Sequence, residues 1–216
     1  MKVSKTTLIK HVTLLFTFLL LVWGFYRILF QLPDFVEEII IKPVIWIIPV
    51  FYLVKLEKNN LQSIGITWKN LFKGIYLSLF LGALFTIEAV IANFFKYGQF
   101  NFAANLGNET LFTSLAISFA TAISEEIVFR GYFFTRIWAV LGNEWQANII
   151  TTIGWTIIHI PITIFVNKLD PLSAAVYLFL TFVFGLGSAF VYARTKNISS
   201  SIFLHVLWEW PIALFR

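Results

Sequence analysis

Six side chains in this sequence have the types and spacing needed to act on water. They are Glu125, Glu126 and Arg130 in "ISEEIVFRGYFF", His159 in "WTIIHIP", and His205 and Glu209 in "SIFLHVLWEWP". A carboxylate with two imidazoles can take a proton from water directly, or can hold a divalent metal such as zinc that activates the water instead. On a helix, Glu126 and Arg130 stand four residues apart with the acid N-terminal, the favourable order for an ion pair. Glu125 projects about 100° away from Glu126 and has no local partner. His205 and Glu209 are again four apart and share one face. Each of these also has a structural reading: an ion pair that steadies a helix, a packing imidazole, a His–Glu pair between helices. Their grouping favours chemistry. The chain has three histidines; two lie in the middle of apolar segments, and the third, His11, sits near the start of one and reads as incidental.

The elements that position these residues must be membrane helices. Of 216 residues, 59% are hydrophobic and 12% charged, and the mean hydropathy is +0.82, whereas soluble domains are about 25% charged. A hydrocarbon core about 30 Å thick takes roughly 20 helical residues. Apolar runs of that order cover 9–31, 36–55, 73–95, 111–138, 146–166, 172–193 and 198–215, with room for an eighth helix if 111–140 is split. Backbone groups in lipid must pair internally, so helices are the expected form. The N-terminal apolar run is longer than a signal-peptide core and lacks a small-residue cleavage site, so it reads as the first span. No polar stretch is long enough for a second domain. Cysteine is absent, which excludes disulfides and cysteine nucleophiles. The net charge of +5 lies in short loops rather than in a basic patch with interleaved aromatics, so it is a topology signal and not a nucleic-acid surface.

With the N-terminus inside and seven spans, Lys2, Lys5, Lys10, Lys55, Lys58, Lys69, Lys73, Arg136, Arg194 and Lys196 all fall on the cytoplasmic side. Asp34, Glu37, Glu38, Glu109 and Asp170, with Lys96 and Lys168, then occupy the outer loops. "NIS" and "NET" match glycosylation sequons, but such short matches carry little information. Lys42, near the start of the second span, and Glu88 in the third are left unexplained by this reading; snorkelling or packing could cover them.

The charges in the fourth span demand partners. On insertion scales each costs about 2.5–3.5 kcal/mol at a helix centre, so Glu125, Glu126 and Arg130 together cost about 8–10 kcal/mol. The twelve Leu, Ile, Phe and Val residues between Leu111 and Trp138 return only about 4–7 kcal/mol on the same kind of scale. Protein or a water-filled cavity must face those charges.

Several chemistries are excluded by residue type. A zinc peptidase of the HExxH kind needs two His four apart, and there is no such pair. A paired-aspartate protease needs two membrane Asp residues, and Asp34 and Asp170 are both outside the spans. A serine–histidine dyad would draw on Ser188 and His205, but Gly185 with Ala189 is more simply a small-residue packing face. A transporter is disfavoured by the lack of a detectable inverted repeat.

Three ordered stretches resemble the motifs of the CAAX-protease and bacteriocin-processing (CPBP, or Abi) family of intramembrane proteases. "EEIVFR" is similar to its EExxxR motif, "WTIIH" to an aromatic followed four residues later by His, and "HVLWE" to its HxxxN. "GLGSAFVYARTKNISSSIFLH" and the earlier "LQSIGITWKNLFKGI" also resemble the family, so the likeness spans roughly 60–215. It implies an all-α, polytopic transmembrane bundle of seven to eight spans with a polar intramembrane cavity. Residues 1–58 would be N-terminal transmembrane helices, and 59–216 the protease-like part of one continuous bundle.

By the same resemblance, Glu125 is the water-activating carboxylate and Glu126 its neighbour held by Arg130, while His159 and His205 orient the water or, with Glu125, bind a metal. The resemblance does not choose between a glutamate-dependent and a metal-dependent protease. Two positions depart from the pattern. Glu209 stands where the family usually has Asn, whose amide can donate to an oxyanion as an ionised Glu cannot; its negative charge would instead favour a metal or hold His205 protonated. Trp155 stands for the commoner Phe. The implied partners are the lipid bilayer and a membrane-associated peptide or protein substrate, with no nucleic acid, and the implied location is a bacterial cell membrane. The alternative reading is a non-catalytic membrane protein of bacteriocin immunity built on the same fold.

Overall fold

The computed structural model of the chain describes residues 3–30, 32–101 and 110–214, without the side chains of Lys96 and of 211–214. The expectations for Lys2, Glu109, the Lys96 side chain and the "NET" sequon fall outside the described residues. Among those residues the structure is helical and contains no strand. Seven helical rods follow one another: α1 Lys5–Leu29, α2 Asp34–Leu56, α3 Leu71–Tyr97, α4 Leu111–Leu141, α5 Glu144–Val166, α6 Pro171–Thr195 and α7 Ile198–Leu214. The first six are long and apolar enough to cross a bilayer; α7 has 17 residues. The protein is thus a multi-pass membrane protein. The eighth helix allowed for within 111–140 is not there, because α4 runs unbroken from Leu111 to Leu141.

Local chemistry sets the helix ends. The Ser4, Thr110 and Asn143 side chains each accept from the backbone N–H three residues on, capping α1, α4 and α5. Asp170 accepts from the N–H groups of Leu172 and Ser173 at the start of α6, where Pro171 needs no donor. Hydrogen bonds from Ser173, side chain and then backbone, hold the Asp170 carboxyl below its ordinary value. Gly98 and Gly142 end α3 and α4 in the left-handed region.

Three rods are widened into π turns. In α2 the turn spans Glu37–Ile41, just before Pro43, whose ring would clash with the carbonyl four residues back in a regular helix. In α5 a π stretch, Ile162–Val166, follows Pro161. In α4 the π stretch is Ile127–Phe134, immediately after the two glutamates. The Thr135 hydroxyl donates to the Gly131 and Tyr132 carbonyls inside it, at 2.6 and 3.0 Å. Such wide turns gather at functional sites.

The rod α4 is the centre of the bundle. It packs against α1, α2, α5 and α7, and every residue from Ile127 to Phe134 is buried. Large apolar side chains such as Phe25, Phe80, Phe95 and Leu172 are exposed on the outer rods, as expected of a lipid-facing surface. The short turn Leu61–Ile64 lies over α4, where a Cβ on Gly131 would stand 2.9 Å from the Ile64 carbonyl oxygen. Asn197, the Asn of "NIS", is buried and donates to the Thr67 and Lys69 carbonyls at 2.7 and 2.8 Å. It latches the α6–α7 turn to the loop before α3 and is no glycan acceptor in this fold.

Three of the charges expected in loops, Glu37, Glu38 and Arg136, are paired within helices. Glu37 and Glu38 belong to the π turn of α2: Glu37 pairs with Arg27 of α1, and Glu38 with Lys42 at 2.7 Å. Arg136 is a buried residue of α4 bonded through Nε to Glu57 at 2.8 Å. Lys42 does not snorkel but turns inward and is 3% exposed. Short apolar spans hide such residues from a loop-charge count, because buried pairs cancel within the bundle.

Candidate active site

Glu125 and Glu126 end the regular part of α4, and the helix turns them toward different neighbours. Glu125 Oε1 accepts from the Lys42 ammonium of α2 at 2.7 Å. Its Oε2 accepts from the Trp155 indole N–H of α5 at 2.9 Å and lies 3.8 Å from His159 Nε2. Glu125 therefore has non-local partners where the sequence offered no local one. Glu126 is completely buried. Its Oε1 accepts from Arg130 Nη1 at 3.1 Å and from His205 Nδ1 at 2.7 Å, and its Oε2 accepts from the Ser188 hydroxyl at 2.7 Å. The i,i+4 pair with Arg130 forms as the spacing requires. Ser188 is accordingly a donor to Glu126.

Both imidazoles are fixed by one nitrogen. His159 Nδ1 donates to the Trp155 carbonyl oxygen at 2.7 Å, an atom that can only accept, and its Nε2 faces Glu125. His205 Nδ1 donates to the Glu126 carboxylate, leaving Nε2 3.9 Å from Glu209 Oε2. In each case a bond on Nδ1 selects the ring face and the nitrogen left for chemistry. Glu209 Oε2 is buried without a hydrogen-bond partner.

Trp155 is the hub. Its ring lies edge-on to both histidines, at 4.8 Å from His159 and 5.8 Å from His205. The Arg130 guanidinium stacks over it at 4.5 Å and donates to the Gly185 carbonyl at 3.3 Å. Gly185 permits this approach, since a Cβ there would meet Thr152 Cγ2 at 2.7 Å and Trp155 at 3.2 Å. The small-residue face of α6 is thus a packing face, as its sequence suggested. Phe184 and Trp208 stack at 4.4 Å and close the far side. All six sequence-selected residues are brought to this one region, while His11 lies elsewhere, on Glu57. A pocket of about 250 Å³ between α1, α4 and α5 is apolar, and none of the six lines it.

Sequence reasoning missed three members: Lys42, Glu38 and Thr121, whose hydroxyl donates to Glu38 at 2.7 Å. The one available signal was Lys42 itself, a lysine inside an apolar helix. Among the described residues no three His, Cys, Asp or Glu side chains stand grouped as a metal site, and the cation against Glu125 is the Lys42 ammonium.

A buried acid pair, two oriented imidazoles and an arginine are thus gathered on membrane helices. Residues 107–211 match the model of the family described as type II CAAX prenyl endopeptidase Rce1-like, and this is the CAAX-protease and bacteriocin-processing family that the three motifs resemble. No curated protein and no solved structure matches the chain.

Proposed function

We propose that the protein is an intramembrane endopeptidase in which Glu125 activates the attacking water. The observation that carries the reading is the placement of Glu125, with His159 Nε2 3.8 Å from its Oε2, around the same buried indole that His205 borders. Each oxygen of Glu125 holds one donor, and a carboxylate oxygen has a second lone pair to offer. A water bonded there gives its proton to Glu125, and the hydroxide attacks the peptide carbonyl. An imidazolium, with a proton on Nε2 as well as on Nδ1, donates to the resulting oxyanion, a stabilisation that gains strength where water is excluded. Glu126, tied to Arg130, Ser188 and His205, keeps the second imidazole in one orientation, the part a buried carboxylate plays behind a catalytic histidine. On collapse of the intermediate, the proton on Glu125 passes to the leaving amine.

The family match and the membrane helices support a substrate anchored at the bilayer, with seven spans enclosing the site in a bacterial membrane. A divalent metal, if bound, would draw on Glu125, His159 and His205 and would supply Lewis-acid activation of the water. Glu209 replaces the amide of the family pattern with a carboxyl group beside His205. The test is cleavage, in proteoliposomes, of a farnesylated peptide ending in a CAAX sequence and of a membrane-anchored peptide without the prenyl group. Glu125→Gln should lower turnover at least ~10²-fold, the usual contribution of a general base, in protein that still purifies as a folded monodisperse species. Cleavage of neither peptide by the wild type, or full cleavage by Glu125→Gln, would overturn the reading.

A further inference from the structure

We propose that Lys42 is the cation that positions the Glu125 carboxylate in the active site, from a helix that lies outside the family-matched segment. The inference rests on the protease reading and assigns part of the apparatus to the N-terminal helices.

Its basis is the way the ammonium is held. Lys42 is 3% exposed, although a lysine near a helix start ordinarily threads its head group to the interface. Its Nζ instead donates to Glu125 Oε1 and Glu38 Oε2, both at 2.7 Å. The rings of Trp23 and Trp46 face it at 5.5 and 5.3 Å, within the range of cation–π attraction. Thr121, one turn before Glu125 on α4, fixes Glu38 in turn. Two carboxylates, a hydroxyl and two indoles from three helices therefore define one position for the charge.

A lysine serving only to neutralise Glu38 has its i,i+4 partner on its own helix and needs nothing from α4. The bond across to Glu125 has a directional consequence. With Lys42 on Oε1 and Trp155 on Oε2, the carboxylate can neither rotate nor swing away from His159. The chain thus supplies an internal cation that orients its base, while Lys42 itself touches no substrate.

The experiment compares wild type, Lys42→Met, Lys42→Arg, Glu38→Gln and Glu125→Gln in the farnesylated-peptide assay, with thermal unfolding measured for each. Lys42→Met should lower kcat about 10²-fold, the scale of a misplaced catalytic group, with KM within about twofold. Lys42→Arg should restore most of the loss, and Glu38→Gln should lower kcat by a smaller factor without unfolding the protein. Treatment with a zinc chelator should leave wild-type turnover unchanged. Wild-type kcat in Lys42→Met overturns the proposal; if that variant does not fold, wild-type kcat in Glu38→Gln does so. Loss of wild-type turnover to the chelator, restored by zinc, also overturns it. A fully active Glu125→Gln instead removes the protease reading itself, so the two failures are distinguishable.

Discussion

Glu57 is the anion of a second buried network, distinct from the candidate site. It accepts from the Tyr132 hydroxyl at 2.5 Å, from Arg136 Nε at 2.8 Å, and from His11 Nδ1 at 3.2 Å. Arg136 also donates to the Ser63 carbonyl at 3.0 Å, so one carboxylate joins α1, the end of α2, the turn before α3 and α4. Removing one partner from a buried ion pair leaves the other charge without compensation, at a cost of about 3–5 kcal/mol. Glu57→Ala should therefore lower the unfolding temperature of the purified protein strongly. Arg136→Met with Glu57→Met, which leaves neither charge, should recover much of that loss. Glu126 and Arg130 could be paired from sequence because helical geometry places i and i+4 together. Glu57 with Arg136, and Lys42 with Glu125, are separated by 79 and 83 residues, and no local periodicity can join residues so far apart.

At the scale of elements, helix identity was legible from the long apolar runs, while the N-caps Ser4, Asn143 and Asp170 fix where three of those helices start. Less legible were the π turns, because a widened turn arises from backbone fit, around Pro43 in one case and under the Leu61–Ile64 turn in another, and leaves no apolar pattern of its own. They matter to the site, since each inserts a shift of facing between residues that a regular helix would align. The α5–α6 contact shows how closely two rods can be required to approach. At Gly185 the neighbouring Thr152 and Trp155 leave no room for a side chain. Gly185→Val should separate α6 from α5 and lower stability by about 1–3 kcal/mol through overpacking. Because the Gly185 carbonyl also receives Arg130, peptide cleavage should fall further than in a stability-matched substitution on the lipid-facing side of α6. Unfolding temperature and turnover measured together separate the two effects.

At the scale of the molecule, the first two rods are integral to the fold rather than an attached anchor. Lys42, Glu38 and Glu57 all come from α2 or its end, whereas the family match begins only at residue 107. A chain lacking 1–58 would leave Glu125 without its ammonium and Arg136 without its carboxylate, with both charges inside the bundle. It should yield no monodisperse protein in detergent. Co-expression of 1–58 with 59–216 should restore a folded complex, measured by co-purification and by cleavage of the farnesylated peptide.

The position of Lys42 along the chain also bears on biosynthesis. A ribosome delivers α2 to the membrane before α4, so the ammonium is in place when the two glutamates arrive. Glu126 carries Arg130 with it, four residues on. Of the described rods α7 emerges last, and it brings His205. The acid pair can thus be accommodated in the membrane early, while the second imidazole joins it only after the rest of the bundle has been made. On the proposed reading, a nascent chain would be accommodated in the membrane before its site is complete.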